Sequence, residues 1–431
     1  MRLSAYPRYK PSGVDWFGDV PEHWEVKRLK TSARCWVSNV DKVPSEEELP
    51  VKLCNYTDVY YNDHISADMS LMETTATADE IRRFGLQEGD VVITKDSEEW
   101  SDIAVPALVT KTSPALVCGY HLAIIRPHNH TISGNYLLRA FQACALNQQF
   151  QVAASGVTRY GLPKASIGDA WIPLPAPSEQ QVIAEFLDRA TERIDKLVGM
   201  NKELIERLKE KRTALISHTV NRGLPPAAAR AAGIDPHPAL KASGIGWLGE
   251  VPAHWEIVRI GRKITLQRGV DITKGDQNEG KVPVVSSGGI SSFHDRALAS
   301  GPGVIVGRKG TAGAVYYVES EYWPHDTTLW VKEFRGNNPR YVFYKLCSMD
   351  LSSFDTGSAN PTVNRNLVHP VLASWPPINE QSTISRYLDT ETSRIDRLVI
   401  RIEEAIERLQ EYRKALITAA VTGKIDVRKA A

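Results

Sequence analysis

The sequence predicts two α/β (α+β) units, built on an internal repeat and joined through a long two-helix coiled coil. Three observations carry this. A phrase of seventeen residues, SGVDWFGDVPEHWEVKR from Ser12, returns without a gap as SGIGWLGEVPAHWEIVR from Ser243, with ten positions identical. A helical segment, SEQQVIAEFLDRATERIDKLV from Ser178, returns as NEQSTISRYLDTETSRIDRLV from Asn379, and the match continues through 205–216 and 406–417. The two matches differ in offset, 231 against 201 residues, and the stretches between them share little sequence. The plan is a repeated start, a variable middle and a repeated helix, written twice in one chain. A length of 431 residues suits several cores better than one.

In chain order, the start phrase comes first. Its histidines, His23 and His254, read as packing or hydrogen-bonding residues. Duplication in front of two dissimilar segments gives Trp24 and Trp255 a structural role, as anchors of each unit against the repeated helices. The middles read as compact sheets with helices. EGDVVITKD (88–96) and GPGVIVGRKGTAGAVYYV (301–318) are β-branched runs bounded by glycines and charges, as strands joined by tight turns would be. The segments 135–150 and 338–354 have helical spacing, and each leads into a polar loop containing glycine.

In the repeated helix, apolar residues recur by alternating threes and fours from Leu187 to Leu215 and from Leu388 to Leu416. That 3.5-residue period predicts a coiled-coil seam with Ile194, Leu197 and Leu208 in one helix and Ile395, Leu398 and Leu409 in the other. Ser178 with Gln181 reads as a capping box and Asn379 as an N-cap. The expected boundaries are 1–177, 178–222 (first helix), 223–242 (a Pro/Ala/Gly-rich connector), 243–378, and 379–431 (second helix and tail).

Composition narrows the function classes. Five scattered cysteines without a CxxC pair argue against a disulfide framework or zinc site and point to a reducing cytoplasm. No apolar run approaches the ~18 residues of a membrane span, and the first residues lack a signal-peptide pattern. A net charge of +1 gives no overall basic signature, so nucleic-acid binding would have to rest on local features. Catalytic motifs fail on inspection. GIGWLG (244–249) matches the dinucleotide fingerprint in letters, but no strand precedes it, a proline follows, and its repeat carries Asp15 at the middle glycine. GPGVIVGRKGT lacks P-loop spacing, Asp276, Glu279 and Lys281 read as a solvated loop, and no HExxH or GxSxG occurs.

Taken together, the start phrases, the PLPAPSEQQ and WPPINEQS approaches to the helices, and the RKALITAAVTGKIDV ending resemble the specificity subunit of type I restriction-modification systems, over essentially the whole chain. The EGDVVITK and GVIVGRKGTAG segments are similar to a hairpin of that family's target-recognition domains. The resemblance implies no catalytic site and no cofactor in this chain. It implies antiparallel pairing of the helices and two recognition domains, each reading half of a bipartite, asymmetric site on double-stranded DNA. Its implied partners are two modification (methyltransferase) subunits using S-adenosylmethionine and restriction/translocase subunits using ATP and Mg, with no membrane. DNA-contact candidates are loop residues able to reach phosphates or base edges: Lys95, Asp96, Arg159 and Tyr160 in the first domain, and Ser286, Ser287, Arg308, Lys309, Thr311, Asn360 and Arg365 in the second. The competing readings are a coiled-coil scaffold that binds no DNA and a restriction enzyme with fused catalytic domains. No motif supports the latter.

Overall fold

A computed structural model describes residues 4–128, 130–355 and 362–429. The chain divides into two compact units, Met1–Asn201 with Glu404–Ala431, and Lys202–Glu403. The first long helix is Pro177–Arg222 and the second Ile378–Val421, so each unit holds one variable middle and part of both helices.

In the first unit a five-stranded sheet runs in the order Ala33–Val37, Leu122–Pro127, Val91–Thr94, Pro106–Lys111, His64–Ser66. Its pairs are antiparallel except the last. Val91–Thr94 is buried along its whole length because it lies mid-sheet with both faces covered, which explains its unbroken apolar run. A three-stranded sheet, Leu116–Cys118, Leu49–Cys54 and Met72–Ala76, shares its core through Val51, Leu53, Val92, Val117 and Ile124. The helical stretch is broken into Gly134–Gln142 and Cys144–Ala153.

The second unit is built on a four-stranded antiparallel sheet, Thr265–Arg268, Thr328–Glu333, Gly303–Gly307, Val315–Val318. A smaller sheet joins Gly289–His294, Val282–Ser286 and Trp323–Pro324. Gly303–Gly307 lies between two cores. Val304 and Val306 pack with Tyr341 and Val342 of the helix Pro339–Cys347, whereas Ile305 packs with Val285 and Tyr322. The segment expected as a bare connector carries a helix, Pro226–Ala231, which starts on a proline that has no N–H to leave unpaired, and a strand, Leu240–Ala242.

One framework appears in both units. The start-phrase strand Glu25–Arg28 pairs with Trp171–Leu174, which leads into the first helix, and Glu256–Arg259 pairs with Leu372–Trp375, which leads into the second. Trp24 and Trp255 are fully buried. The third residue of each helix is a glutamate facing this phrase. Glu380 accepts from the Trp255 indole N–H at 2.9 Å and pairs with His254 Nε2 at 2.6 Å. Glu179 pairs with His23 Nε2 at 2.9 Å, but its other oxygen accepts from Tyr6 Oη at 2.8 Å. Trp24 Nε1 is therefore buried without a partner among the described residues. The next residue is a buried glutamine in both helices. Gln180 accepts from Ser133 N and donates to Thr131 O and Pro175 O. Gln381 accepts from Asn338 N and donates to Asn337 Oδ1 and Pro376 O. Against the opposite side of each tryptophan lies the end of the other helix. Gly223 (φ +93°) and Gly423 (φ +70°) turn the chain there, and a Cβ on Gly423 would meet Pro21 Cδ at 2.3 Å.

The helices run antiparallel within each unit. Arg413 meets Asp195 at 3.0 Å while Arg428 approaches Glu179, and Arg212 meets Asp396 at 2.9 Å while Asn221 O accepts from Ser374 Oγ. The two ion pairs are the same pair of repeat positions with helix roles exchanged. Asp188 and Asp389, also equivalent, tie each helix to its variable middle, through Arg139 and through Arg340 with Tyr344.

The predicted seam needs one correction. Ile194 and Ile395 are buried and Leu208 and Leu409 half-buried, but Leu197 (49% exposed) and Leu398 (41%) face outward. Thr191, Val198, Ile205, Thr392 and Ile406 are buried instead. The seam keeps its seven-residue period, but the second position of each heptad falls one residue later than expected, at Thr191, Val198 and Ile205 and at Thr392, Val399 and Ile406. The inward steps from Leu187 and Leu388 are therefore four then three. Leu197 and Leu398 thereby fall on the outer face. The helix starts also differ. The first turns bond back to Ala176 O and Pro377 O, and Gln181 donates to Glu185, so Ser178 forms no capping box. Pro177 fills the first helical position, where it loses no hydrogen bond.

Lys345 is fully buried. Its ammonium bonds Asn221 Oδ1 at 2.6 Å, Ser374 Oγ at 3.3 Å and Val220 O at 3.5 Å, at the carboxyl end of the first helix. Carbonyls at a helix end favour a cation, but burial pushes the amine down to about 7.

Two predictions follow from this packing. Trp255→Phe should lower the opening free energy of the second unit by about 1–3 kcal/mol more than Trp24→Phe lowers that of the first, since only Trp255 loses a bond to a carboxylate. Native-state hydrogen exchange reads both units separately. For Lys345 the folded value lies below the unfolded one, so between about pH 7 and 10 the unfolded chain binds the extra proton. Stability should then rise with pH by about 1.4 kcal/mol per unit over that window. Urea unfolding of Lys345→Met from pH 7 to 9 should lack this increment.

Candidate nucleic-acid interface

In the first unit the four predicted residues come together. Asp96–Ser97 forms a two-residue strand with Tyr160–Gly161, and Leu162 N donates to Lys95 O at 2.9 Å. Asp96 Oδ2 lies 3.2 Å from Lys95 Nζ and 2.7 Å from His121 Nδ1. Arg159 is exposed and places Nη2 at 3.4 Å from both His121 ring nitrogens. Tyr160 is half-buried in the strand. His121 and its neighbour Tyr120, whose rings lie 3.7 Å apart, were not picked out in the sequence. GYHLA carries no spacing signal, and only the fold brings it beside residues 95 and 159.

In the second unit, Arg308, Lys309 and Arg365 line a cleft of about 450 Å³ together with Arg268, which sequence reasoning missed. Its only signal was a basic residue before a glycine at a strand end. The turn after Gly303–Gly307 is fixed by backbone, since Arg308 N and Lys309 N both donate to Thr327 O, at 2.8 and 3.1 Å. Ser287 N donates to Thr327 Oγ1, and Val363 N to Arg308 O, which holds the loop carrying Arg365 against the same turn. Ser286 Oγ bonds Gly289 O and so spans its own hairpin turn. Thr311 is exposed in the turn leading to Val315–Val318. Asn360 lies outside the described residues.

Electrostatics in this cleft favour an anion. Burial and the neighbouring Arg268 pull the Arg308 guanidinium below the usual arginine range. Burial raises the Asp326 carboxyl, but its hydrogen bond from Arg268 and the charges of His325 and the arginines outweigh that and hold it ionised. A phosphate group entering the cleft would relieve the crowding of the two arginines, and guanidinium forks match its geometry. Arg308 Nη1 also donates to Asp326 O at 3.4 Å, which fixes its direction.

Comparison with known proteins bears on what these clefts meet. The profile of the type I restriction modification DNA specificity domain matches residues 21–209 and 252–408, once in each repeat. The chain belongs to this family. As a specificity subunit of the type I systems, it recognises DNA sequence, and its family is non-catalytic. Relatives over nearly the full length include the putative type I restriction enzyme MjaX specificity subunit of Methanocaldococcus jannaschii, 20% identical over 95% of this chain and 96% of that one. The MjaVIII specificity subunit of the same organism is 21% identical over 95% and 94%. Among solved structures, a chain from a type I R-M system, solved for its complex assembly and conformational transition, superposes with a TM-score of 0.70 over 94% of this chain and 99% of its own. The HsdS subunit from Thermoanaerobacter tengcongensis superposes with 0.52 over 94% and 98%. At 14 and 15% identity these two show a shared fold. No helix among the described residues is long and apolar enough to cross a membrane.

Arg308→Ala should weaken binding to the cognate duplex roughly ten- to a hundredfold, and to random DNA much less. Lys309→Ala should weaken both alike and flatten the salt dependence. Competition gel shifts at two salt concentrations measure both.

Proposed function

We propose that the two units each read one half of a bipartite, asymmetric DNA target and that the paired helices hold the half-sites at a fixed spacing. The observation that carries this is the contrast within each unit. The framework of tryptophan, glutamate and glutamine is duplicated, whereas the loops that carry the exposed basic residues stand on different sheets. A duplicated frame presents one geometry twice, and different loops read different bases. Pseudo-twofold readers meet half-sites one or more helical turns apart, roughly 34–36 Å per turn.

Two modification subunits dock on the helices in this reading. The outward Leu197 and Met200 of the first unit, and Leu204, Leu398 and Ile400 of the second, are the apolar contacts they would cover. Trp24 and Trp255 anchor the recognition domains. S-adenosylmethionine, ATP and Mg belong to the partner subunits, and the assembled complex is an adenine methyltransferase and ATP-dependent endonuclease placed in the cytoplasm. Near-zero net charge fits a chain whose partners supply much of the phosphate contact, because phosphate contacts give affinity and base contacts give specificity.

The test is to co-express the chain with its modification subunit and sequence the methylated genome. A split motif with unequal halves is expected, and exchange of residues 30–170 for those of another specificity subunit should change one half alone. A complex that assembles but methylates without sequence preference would reduce the chain to a scaffold.

A further inference from the structure

We infer that Arg159 reads a guanine in the first unit's half-site, and that His121, oriented by Asp96, is the positioning residue that aims it. This rests on the reading of the first unit as a DNA-recognition domain and assigns the base class to it.

Arg159 Nη2 is equidistant, at 3.4 Å, from Nδ1 and Nε2 of His121. Ring carbons occupy the in-plane positions equidistant from the two nitrogens. The guanidinium nitrogen therefore lies over the face of the ring with its N–H directed at it, a contact of the N–H···π kind. The ring itself is fixed. Asp96 as a carboxylate can only accept, so the Nδ1 proton points at its Oδ2, 2.7 Å away. The backbone beneath is fixed too, since Lys95 N donates to His121 O and Leu162 N to Lys95 O, both at 2.9 Å. Three separate segments thus meet under one exposed arginine.

An exposed arginine is ordinarily disordered over many rotamers, and ordering it on binding costs affinity. Held with an N–H against a pinned ring, Arg159 has lost much of that freedom before DNA arrives. Such pre-ordering is unnecessary for a phosphate contact, which tolerates many approach angles, and useful for a base contact, which does not. The parallel N–H groups of a guanidinium need two adjacent acceptors. On the major-groove edge guanine offers O6 and N7, whereas adenine offers one acceptor beside a donor. The placement of a carboxylate on this surface also becomes intelligible. Lys95 Nζ at 3.2 Å offsets the charge of Asp96, which serves the ring and not the DNA.

The experiment uses the full chain assembled with its modification subunits, and reads base preference at every position of the target by competition binding and methylation sequencing. Arg159→Ala should relax one guanine position in one half-site roughly ten- to a hundredfold, leaving the other half-site unchanged. His121→Ala should relax the same position, and His121→Phe, which keeps a flat face, should largely restore it. Equal weakening on all sequences would make Arg159 a phosphate contact, relaxation at a base other than guanine would refute the assignment, and an unchanged motif would leave it a solvated side chain. Each of these outcomes overturns the inference while the specificity reading stands. A wild-type complex without any sequence preference would instead sink that reading.

Discussion

A carboxylate in the first turn of each long helix holds the start phrase, and most of the rest depends on that hold. Glu179 and Glu380 sit where the helix dipole favours a negative charge, and both are largely buried against residues from far away in sequence, Glu179 against His23 and Tyr6 and Glu380 against His254 and Trp255. Burying a charge is costly unless it is hydrogen-bonded. Here both oxygens of each carboxylate are used. The adjacent glutamine then takes hold of the loop that begins the helix of the variable middle, through Ser133 N in one unit and Asn338 N in the other. Two consecutive side chains thus fix the beginning and the later part of each variable segment to the same helical turn. The sequence between can diverge while its ends remain in place.

This arrangement lets the variable segments differ while the helical frame stays the same. The sheets of the two units differ in strand number and order, and their basic loops differ in composition. Arg159 places an N–H over the His121 ring, whereas Arg308 bonds a backbone carbonyl beside a turn that Thr327 closes. The helix-facing residues keep their chemistry, down to Asp195 with Arg413 and Arg212 with Asp396. Divergent loop-bearing sheets and constant helix-facing residues are thus separated along the chain.

The repeats carried most of the fold into the sequence because they are written in local chemistry: a tryptophan phrase, a proline-flanked helix start and a heptad spacing. The buried central strands were legible for a similar reason, since β-branched runs between glycines have few alternatives. What could not be read depends on distance. Leu197 and Val198 are equally apolar, and only the packing of the two helices decides which of the two turns inward. His121 and Arg268 lie far in sequence from the loops they support, and no spacing rule joins them. Lys345 looked like any surface lysine in an amphipathic helix. Its burial follows from the three acceptors that tertiary packing gathers around it.

The surroundings of the two tryptophans differ in one respect. In the second unit the chain leaves the first helix at Gly223, runs through the linker helix, and returns as the strand Leu240–Ala242 against Glu250–Pro252. In the first unit the same strand position is filled by Tyr9–Pro11 against Asp19–Pro21, and the departing segment by residues after Gly423. Those two segments meet without a peptide link, through the Ser4–Asp426 bridge, the Tyr9 hydroxyl on Gly423 O and Arg428 over the Tyr6 ring. A covalent connection on one side and a non-covalent one on the other thus support the same local structure. The local structure around each tryptophan is therefore set by its side-chain and bridge contacts, which form with or without an intervening stretch of peptide.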